Sequence, residues 1–249
     1  MKPLALFFVL SLFVPAAALG QSAVTTMAEI DRMREAGRYR EALVLLEGRH
    51  GHNPSDAEVL WRLSRTRVDL GEQAPASEQK QFYHAAMTDA EAAVAADPQN
   101  AEAHLALAIA AGRAGLIAGT REKVELSRVV KESADRAIAL DPQSDAALHV
   151  RGRWHYEVAS LGFFARTAVK VVYGGLPDAS YEQAAQDFER ALGVREEIRH
   201  YVELGKTYVK LGDEAKARAA LERALALPAG DPDDPGYQRE ARTLLDELG

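Results

Sequence analysis

Apolar and polar residues alternate at helical spacing along the chain, and proline-containing loops interrupt this pattern at regular intervals. Three of the loops are alike: "HNPSDAEVL", "ADPQNAEAH" and "LDPQSDAAL". Their prolines, Pro54, Pro98 and Pro142, are 44 residues apart each time. Proline stops the helix before it, and a small or acidic residue can cap the helix that follows. The pattern therefore predicts a helical repeat protein.

The segment "HYVELGKTYVKLGDEAKARAALERALALP" shows the repeat in its clearest form. Gly205 and Tyr208 lie on its first predicted helix, Gly212 lies at the turn, and Ala217 and Leu221 lie on the second helix. The segment resembles a tetratricopeptide repeat, in which glycine and alanine mark the places where two helices approach closely. We therefore predict an all-α fold, a tetratricopeptide-like right-handed solenoid of helical hairpins.

The solenoid is predicted to form a single domain over residues 23–249. Its middle repeats exceed the usual length of about 34 residues, because "EQAPASEQKQ" and "LIAGTREKVE" are long insertions between paired helices. The predicted units are five repeats at about 23–56, 57–100, 101–144, 145–197 and 198–230, followed by a capping helix at 235–248.

The longest insertion lies in the fourth repeat, within "GRWHYEVASLGFFARTAVKVVYGG". Arg166 and Lys170 interrupt this stretch, which argues against a membrane span, and nothing nearby would pair with a β-strand. We predict a helix over 146–158 and then an amphipathic helical insert over 161–173. The apolar face of this insert either packs on neighbouring helices as core or lines a cavity or a groove for a lipid or a partner. The residues on that face are Phe163, Phe164, Val171 and Val172.

A larger part of the chain, roughly residues 60–230, resembles the regulator of microtubule dynamics family. The resemblance rests on the helix that ends before "DP", the "GRWHYEVASL" block, the insertion that ends in Gly-Gly-x-Pro, and "YEQAAQDFERA". It implies a tetratricopeptide fold. Eukaryotic members of the family are linked to microtubules and mitochondria, and one member bridges organelles and carries phospholipid in its repeat domain. For an exported bacterial homologue, the resemblance implies the fold and the groove.

The N-terminus has the layout of a secretory signal peptide. Lys2 precedes an apolar run, and Ala18 and Gly20 occupy the −3 and −1 positions of a cut before Gln21. We therefore expect cleavage of residues 1–20 and export, to the periplasm. The alternative is an N-terminal membrane anchor, although the apolar run is short for a span. The chain has no cysteine, which excludes disulfides and thiol chemistry.

A candidate ligand groove follows from the tetratricopeptide fold, in which positions 2, 5, 9 and 12 of each first helix face the concave surface. In this chain those positions combine cations with apolar side chains, which suits an acidic peptide or an amphiphile with an anionic head. The alternative is that the cations only solvate the groove while their stems cover apolar surface. The predicted groove residues are Trp61, Arg65, Leu105, Ile109, His149, Arg153, Tyr156, Val202, Lys206 and Val209.

No motif for catalysis, metal binding or a cofactor is recognised in the sequence, and a net charge of −7 argues against a nucleic-acid partner. The sequence therefore predicts a non-enzymatic module that binds a protein or peptide through its concave groove. The alternative function is the binding or transfer of an anionic lipid. Arg153 and Lys206 would then lie near the head group, and the 161–173 insert would form the apolar wall. A structural role in an envelope complex and the oligomeric state stay open.

Overall fold

A computed structural model of the protein describes residues 25–249, except for the side chains of Phe163 and Phe164. The predicted leader, residues 1–20, lies outside this part of the chain. Residues 25–249 form helices and connecting loops, without a β-strand. The helices are α1 Met27–Glu35, α2 Tyr39–His52, α3 Ala57–Gln73, α4 Ala76–Ala96, α5 Ala101–Ile117, α6 Thr120–Leu140, α7 Asp145–Ser160, α8 Phe163–Tyr173, α9 Tyr181–Val194, α10 Ile198–Leu211, α11 Glu214–Ala226 and α12 Asp234–Glu247.

The repeated proline loops end and begin helices in the same way each time. Asp56, Asn100 and Ser144 precede α3, α5 and α7, and each accepts a hydrogen bond from a backbone amide in the first turn. These side chains satisfy amides that would otherwise lack a partner at a helix start. The three capping residues are again 44 residues apart. The predicted all-α solenoid of repeated hairpins is confirmed.

The hairpins pair α3 with α4, α5 with α6, α7 with α9, and α10 with α11. Glycines allow two of these pairs to approach closely. A Cβ atom on Gly152 would lie 2.8 Å from the Phe188 ring, and one on Gly205 would lie 2.7 Å from the Leu221 side chain. Gly212 ends α10 in the left-handed region at φ +74°, which favours glycine. The close contacts predicted at these small residues are therefore present.

The ten-residue insertions in the middle repeats are mostly helical. In the second repeat α3 continues to Gln73 and α4 begins at Ala76, and in the third α5 continues to Ile117 and α6 begins at Thr120. The inserted segments are rich in Ala, Glu, Gln and Lys, which favour helix. Only a short turn therefore remains between the two helices of each hairpin. The insertions therefore lengthen both helices of a hairpin.

Helix α8 forms most of the insert in the fourth repeat and lies outside the hairpin core, because α7 pairs directly with α9. It is held at its two ends by arginines. Arg166 donates to the carbonyls of Leu161 and Ala159, and Arg128 donates to the carbonyl of Gly175 at 2.7 Å.

The apolar face of α8 is exposed where the structure describes it. Val171 and Val172 are 79% and 65% exposed. Phe163 and Phe164 complete this face in the sequence, and their side chains lie outside the described part. Within residues 25–249, no helix is both long and apolar enough to cross a membrane.

The C-terminal helix α12 packs on the inner side of the last hairpin. Its Ala241 is completely buried, in a cluster with Ile198, Val202, Leu221 and Ala224 of α10 and α11. The end of the solenoid is thereby closed, as is usual for a terminal cap that shields the apolar face of the last repeat.

Candidate ligand cavity

The inner face of the solenoid encloses a cavity of about 700 Å³. Its walls come from α3, α5 and α7, with additional residues from α1, the start of α10 and the loop before α12. Such a volume lies within the range of about 300–1,000 Å³ that is usual for ligand pockets. Four of the predicted groove residues line it: Arg65, Ile109, His149 and Arg153.

Three of these residues occupy the same place on successive inner helices. Arg65, Ile109 and Arg153 are the ninth residues of α3, α5 and α7. Because each repeat stacks on the previous one in the same orientation, equivalent positions point into the same space. Apolar side chains lie between them, among which are Val68 and Trp154.

Two predicted groove residues on the first two of these helices pack away from the cavity. Leu105 is only 2% exposed and packs in the core against Ala137 and Leu148. Trp61 is half-buried, packs beside Leu60, and has the Arg62 guanidinium 3.9 Å above its ring. Both are fifth residues of their helices, and in α3 and α5 that position faces the neighbouring helices, whereas the fifth residue of α7, His149, borders the cavity.

The remaining predicted groove residues lie in the C-terminal part, away from the cavity. Val202 is completely buried beneath α12, and Lys206 Nζ lies 3.0 Å from Glu240 Oε1 of the same helix. Tyr156 packs edge-on against the Tyr181 ring, with the ring centroids 5.4 Å apart. Val209 is partly exposed near the end of α10. Helix α12 covers the inner face of α10, which separates Val202 and Lys206 from the cavity.

The cavity wall carries both signs of charge. Six cationic and nine acidic side chains line it, so positive charge is not in excess in this cavity. Part of the acidity comes from α3, at Asp69 and Glu72, and part from the loop before α12, at Asp231 and Asp233. The place of that loop in the cavity wall depends on the curvature of the whole solenoid.

Most of the buried cations around the cavity have acidic partners. Arg34 Nε lies 3.1 Å from Asp69 Oδ2, and Arg113 pairs with Glu72. Burial raises the pKa of the Asp69 carboxyl, and the charge of Arg34 opposes this rise. Burial likewise raises the pKa of Glu72, against the charge of Arg113.

Arg153 and Lys206 share one buried carboxylate. Each places a nitrogen 3.3 Å from Glu203 Oε1, and Glu203 is only 2% exposed. The two cations that the sequence placed near an anionic head group are therefore already neutralised by acidic side chains of the protein.

Arg65 differs from the other arginines of the cavity. Within residues 25–249, no carboxylate lies within 4.0 Å of its guanidinium, and no hydrogen bond to it is formed. Burial lowers the pKa of Arg65 to about 10 and the charge of Arg34 adds to this effect, while Asp69 and Glu102 oppose it. Arg65 is therefore a partly buried cation that faces the cavity without an ion pair of its own.

A buried polar network that the sequence did not predict connects α7 with α10. His200 Nε2 lies 3.1 Å from Asp145 Oδ2, and the Nδ1 atoms of His149 and His200 are 2.9 Å apart. Burial lowers the pKa of His149 far below its usual value, and the neighbouring His200 adds to this. Burial alone would raise the pKa of Asp145, but hydrogen bonds from His200 and Arg195 lower it overall.

Part of this network also has the composition of a metal site. Asp145, Glu197 and His200 offer ligand atoms that all lie within 4.8 Å of one another. However, Arg195 and Arg199 already pair with both carboxylates, at distances of 2.6–3.2 Å. A metal ion would have to displace two guanidinium groups. The geometry is that of an ion-pair network that joins two repeats.

Solved structures with a similar fold are tetratricopeptide proteins. A thermophilic TPR protein of Thermus thermophilus matches with a TM-score of 0.64 at 20% identity, over 88% of this chain and 96% of that one. The MamA protein matches with a TM-score of 0.50 at 19% identity, over 80% of this chain and 87% of that one. At these identities the likeness shows the shared fold.

Similar sequences are found among animal proteins. Regulator of microtubule dynamics protein 1 of Bos taurus is 30% identical over 223 residues, which is 88% of this chain and 70% of that protein. The protein of the same name from Mus musculus is 30% identical over 226 residues, 89% of this chain and 73% of that protein. The family model described as Regulator of microtubule dynamics protein 1-3 matches residues 26–249. The chain therefore belongs to the regulator of microtubule dynamics protein 1-3 family.

Proposed function

We propose that this protein is a non-enzymatic binding module that holds a peptide segment of a partner protein in the ligand cavity. The observation that carries the proposal is the position of Arg65, Ile109 and Arg153. They repeat at one place on three successive inner helices and line one cavity. A surface built in this way offers similar contacts at regular steps, which suits an extended chain.

The composition of the cavity wall favours a peptide. Apolar side chains such as Val68, Ile109 and Trp154 lie among charged groups of both signs. A peptide supplies apolar side chains together with backbone donors and acceptors, and it can carry either charge. A nucleic acid would have to approach nine acidic side chains on this wall, and we propose no such partner.

The second candidate function is the binding or transfer of an anionic lipid. It is favoured by the apolar side chains of Val68 and Ile109 beside the unpaired Arg65. One feature of the wall weighs against it. None of the α8 residues whose side chains the structure describes borders the cavity, so these residues do not wall off an acyl chain there.

We propose the periplasm as the location, on the predicted leader alone, with N-terminal anchoring as the alternative. Fractionation of a bacterial host that expresses the full chain tests this directly. Mature protein that begins near Gln21 in the periplasmic fraction would support export. Full-length protein in the membrane fraction would support the anchor, and full-length protein in the cytoplasm would contradict both.

Site-specific photo-crosslinking tests the peptide proposal. A benzophenone amino acid is placed at Ile109 in the cavity, and a matched control carries it at Val44 of α2, which is 67% exposed and outside the cavity. We expect peptide adducts that are specific to position 109, identified by mass spectrometry. Lipid adducts specific to position 109 would favour the second candidate. Equal labelling at both positions would contradict binding in the cavity.

A further inference from the structure

Arg65 is the clearest unexplained feature of the cavity. It projects from the middle of α3 and lines the space together with Val68, one turn further along, and Ile109 of α5. A cation removed from water is costly unless an opposite charge compensates it. In the described chain, no carboxylate lies within 4.0 Å of the Arg65 guanidinium, and Asp69 and Glu102 act on it only from a longer distance, whereas Arg34, Arg113 and Arg153 around the same cavity each form an ion pair.

We infer that Arg65 binds a carboxylate of the partner peptide, either an acidic side chain or the C-terminal carboxylate, next to an apolar residue. The inference rests on the proposed function and names the chemistry of the bound segment. The guanidinium would form a charge-assisted, bidentate hydrogen bond with the carboxylate. Val68 and Ile109 would contact the neighbouring apolar side chain.

The balance of charge favours a carboxylate over a phosphate group. Arg65 offers one unpaired positive charge, and the surrounding guanidiniums are already paired with acidic residues. A carboxylate carries one negative charge and would restore neutrality at Arg65. A phosphate ester carries nearly two charges at neutral pH, and the excess would face an acidic wall that includes Asp69 and Asp233.

The inference is tested with two short probes on the full chain. The probes are acetyl-Leu-Glu-Leu-amide and acetyl-Leu-Gln-Leu-amide, which differ only in the carboxylate. Binding is followed by NMR through the methyl signals of Ile109. We expect the Glu probe to bind about tenfold more tightly than the Gln probe, as a charge-assisted hydrogen bond implies. In Arg65→Gln this ratio should fall to about one, and Arg65→Lys should retain part of it.

The outcomes separate this inference from the proposed function. If both probes shift Ile109 with equal affinity, the cavity binds peptides but Arg65 is not a carboxylate site, and the inference is overturned. If neither probe shifts Ile109, the proposed function fails together with the inference.

Two further probes test whether the bound anion is a peptide carboxylate, a phosphate group or a fatty acid. Tighter binding of acetyl-Leu-phosphoserine-Leu-amide than of the Glu probe would overturn the choice of a singly charged group. Arg65-dependent binding of decanoate without binding of the Glu probe would overturn the peptide assignment in favour of a fatty-acid-like ligand.

A second measurement requires no ligand. Removal of a partly buried charge that has no ion pair should stabilise the free protein, since sites kept for binding are often costly to stability. We expect Arg65→Met to raise the melting temperature by about 2–4 °C. The matched control is Arg62→Met on the same helix, where the guanidinium pairs with Asp31 at 2.8 Å, and it should lower the melting temperature. If Arg65→Met lowers it as much as the control does, Arg65 has a structural role and the inference is overturned.

Discussion

The ninth residue of an inner helix has a different environment in the two parts of the solenoid. In α3, α5 and α7 this residue is Arg65, Ile109 or Arg153, and each borders the open cavity. In α10 it is Lys206, which lies under α12 and pairs with Glu203 and Glu240. The repeat therefore determines which side chains point inward, and the cap determines how much of the inner face a ligand can reach.

The largest expected change in the free energy of unfolding distinguishes two residues that lie one turn apart on α5. Leu105 is buried in the core, whereas Ile109 borders the cavity. We expect Leu105→Ala to lower the free energy of unfolding by about 3 kcal/mol, because it leaves a hole among packed side chains. Ile109→Ala should cost about 1 kcal/mol, since this side chain is only partly buried and borders the cavity on one side. Chemical denaturation of both variants measures the difference.

Equal losses in the two α5 variants would contradict the comparison. Ile109 would then be a core residue, and the cavity would be closed in solution. A smaller loss for Leu105→Ala than for Ile109→Ala would reverse the assignment of the two helix positions and with it the register of the groove.

The helical repeats could be predicted because their signals are local. Pro54, Pro98 and Pro142 lie within a few residues of the helix ends that they mark. Gly152 and Gly205 are needed where the two paired helices of a repeat touch, so a resemblance to the tetratricopeptide pattern is enough to identify them. The family resemblance was also visible in the sequence, because whole blocks of residues carry it.

The site could be predicted only in part, because it depends on contacts between distant residues. Asp145 and His200 are 55 residues apart, and no spacing rule brings them together. Glu240 neutralises Lys206 only because α12 folds back over α10. The unpaired state of Arg65 is likewise a property of the assembled cavity, since a sequence shows that an arginine is present but not which carboxylates reach it.

A change of intermediate size in the free energy of unfolding is expected where His149 contacts His200. This contact lies at the boundary between the open cavity and the part of the inner face that α12 covers. Burial lowers the pKa of His149 in the folded protein, whereas in the unfolded chain a histidine has a pKa of about 6.5. Below that pH the unfolded chain therefore binds a proton that the folded chain does not bind. Stability is therefore full at pH 7.5 and decreases as the pH falls below about 6.5. Between pH 7.5 and 5.5 we expect this residue to account for a loss of about 1.4 kcal/mol in the free energy of unfolding.

The contribution of His149 is isolated by comparing variants across that pH range. His149→Gln should remove its share of the loss, while His84→Gln, on the exposed side of α4, should keep the wild-type slope. The other ionisable groups that face His149 are His200, Arg153, Arg199 and Asp145. His200→Gln is measured alongside, so that a change at the neighbouring imidazole is not assigned to His149. A wild-type slope in His149→Gln would show that this histidine can be protonated in the folded protein.

The smallest expected effect concerns the contact between the cap and α10. Glu240 pairs with Lys206 across this contact but is itself partly exposed, and water screens such pairs strongly. Glu240→Gln should therefore cost no more than about 0.5 kcal/mol of unfolding free energy, and 1 M salt should remove the difference from wild type. A much larger loss would mean that the ion pair, and not the packing of Ala241 on Val202, keeps α12 in place. Because apolar burial does not weaken with salt, a cap held by Ala241 should cover the inner face of α10 equally well at low and high ionic strength.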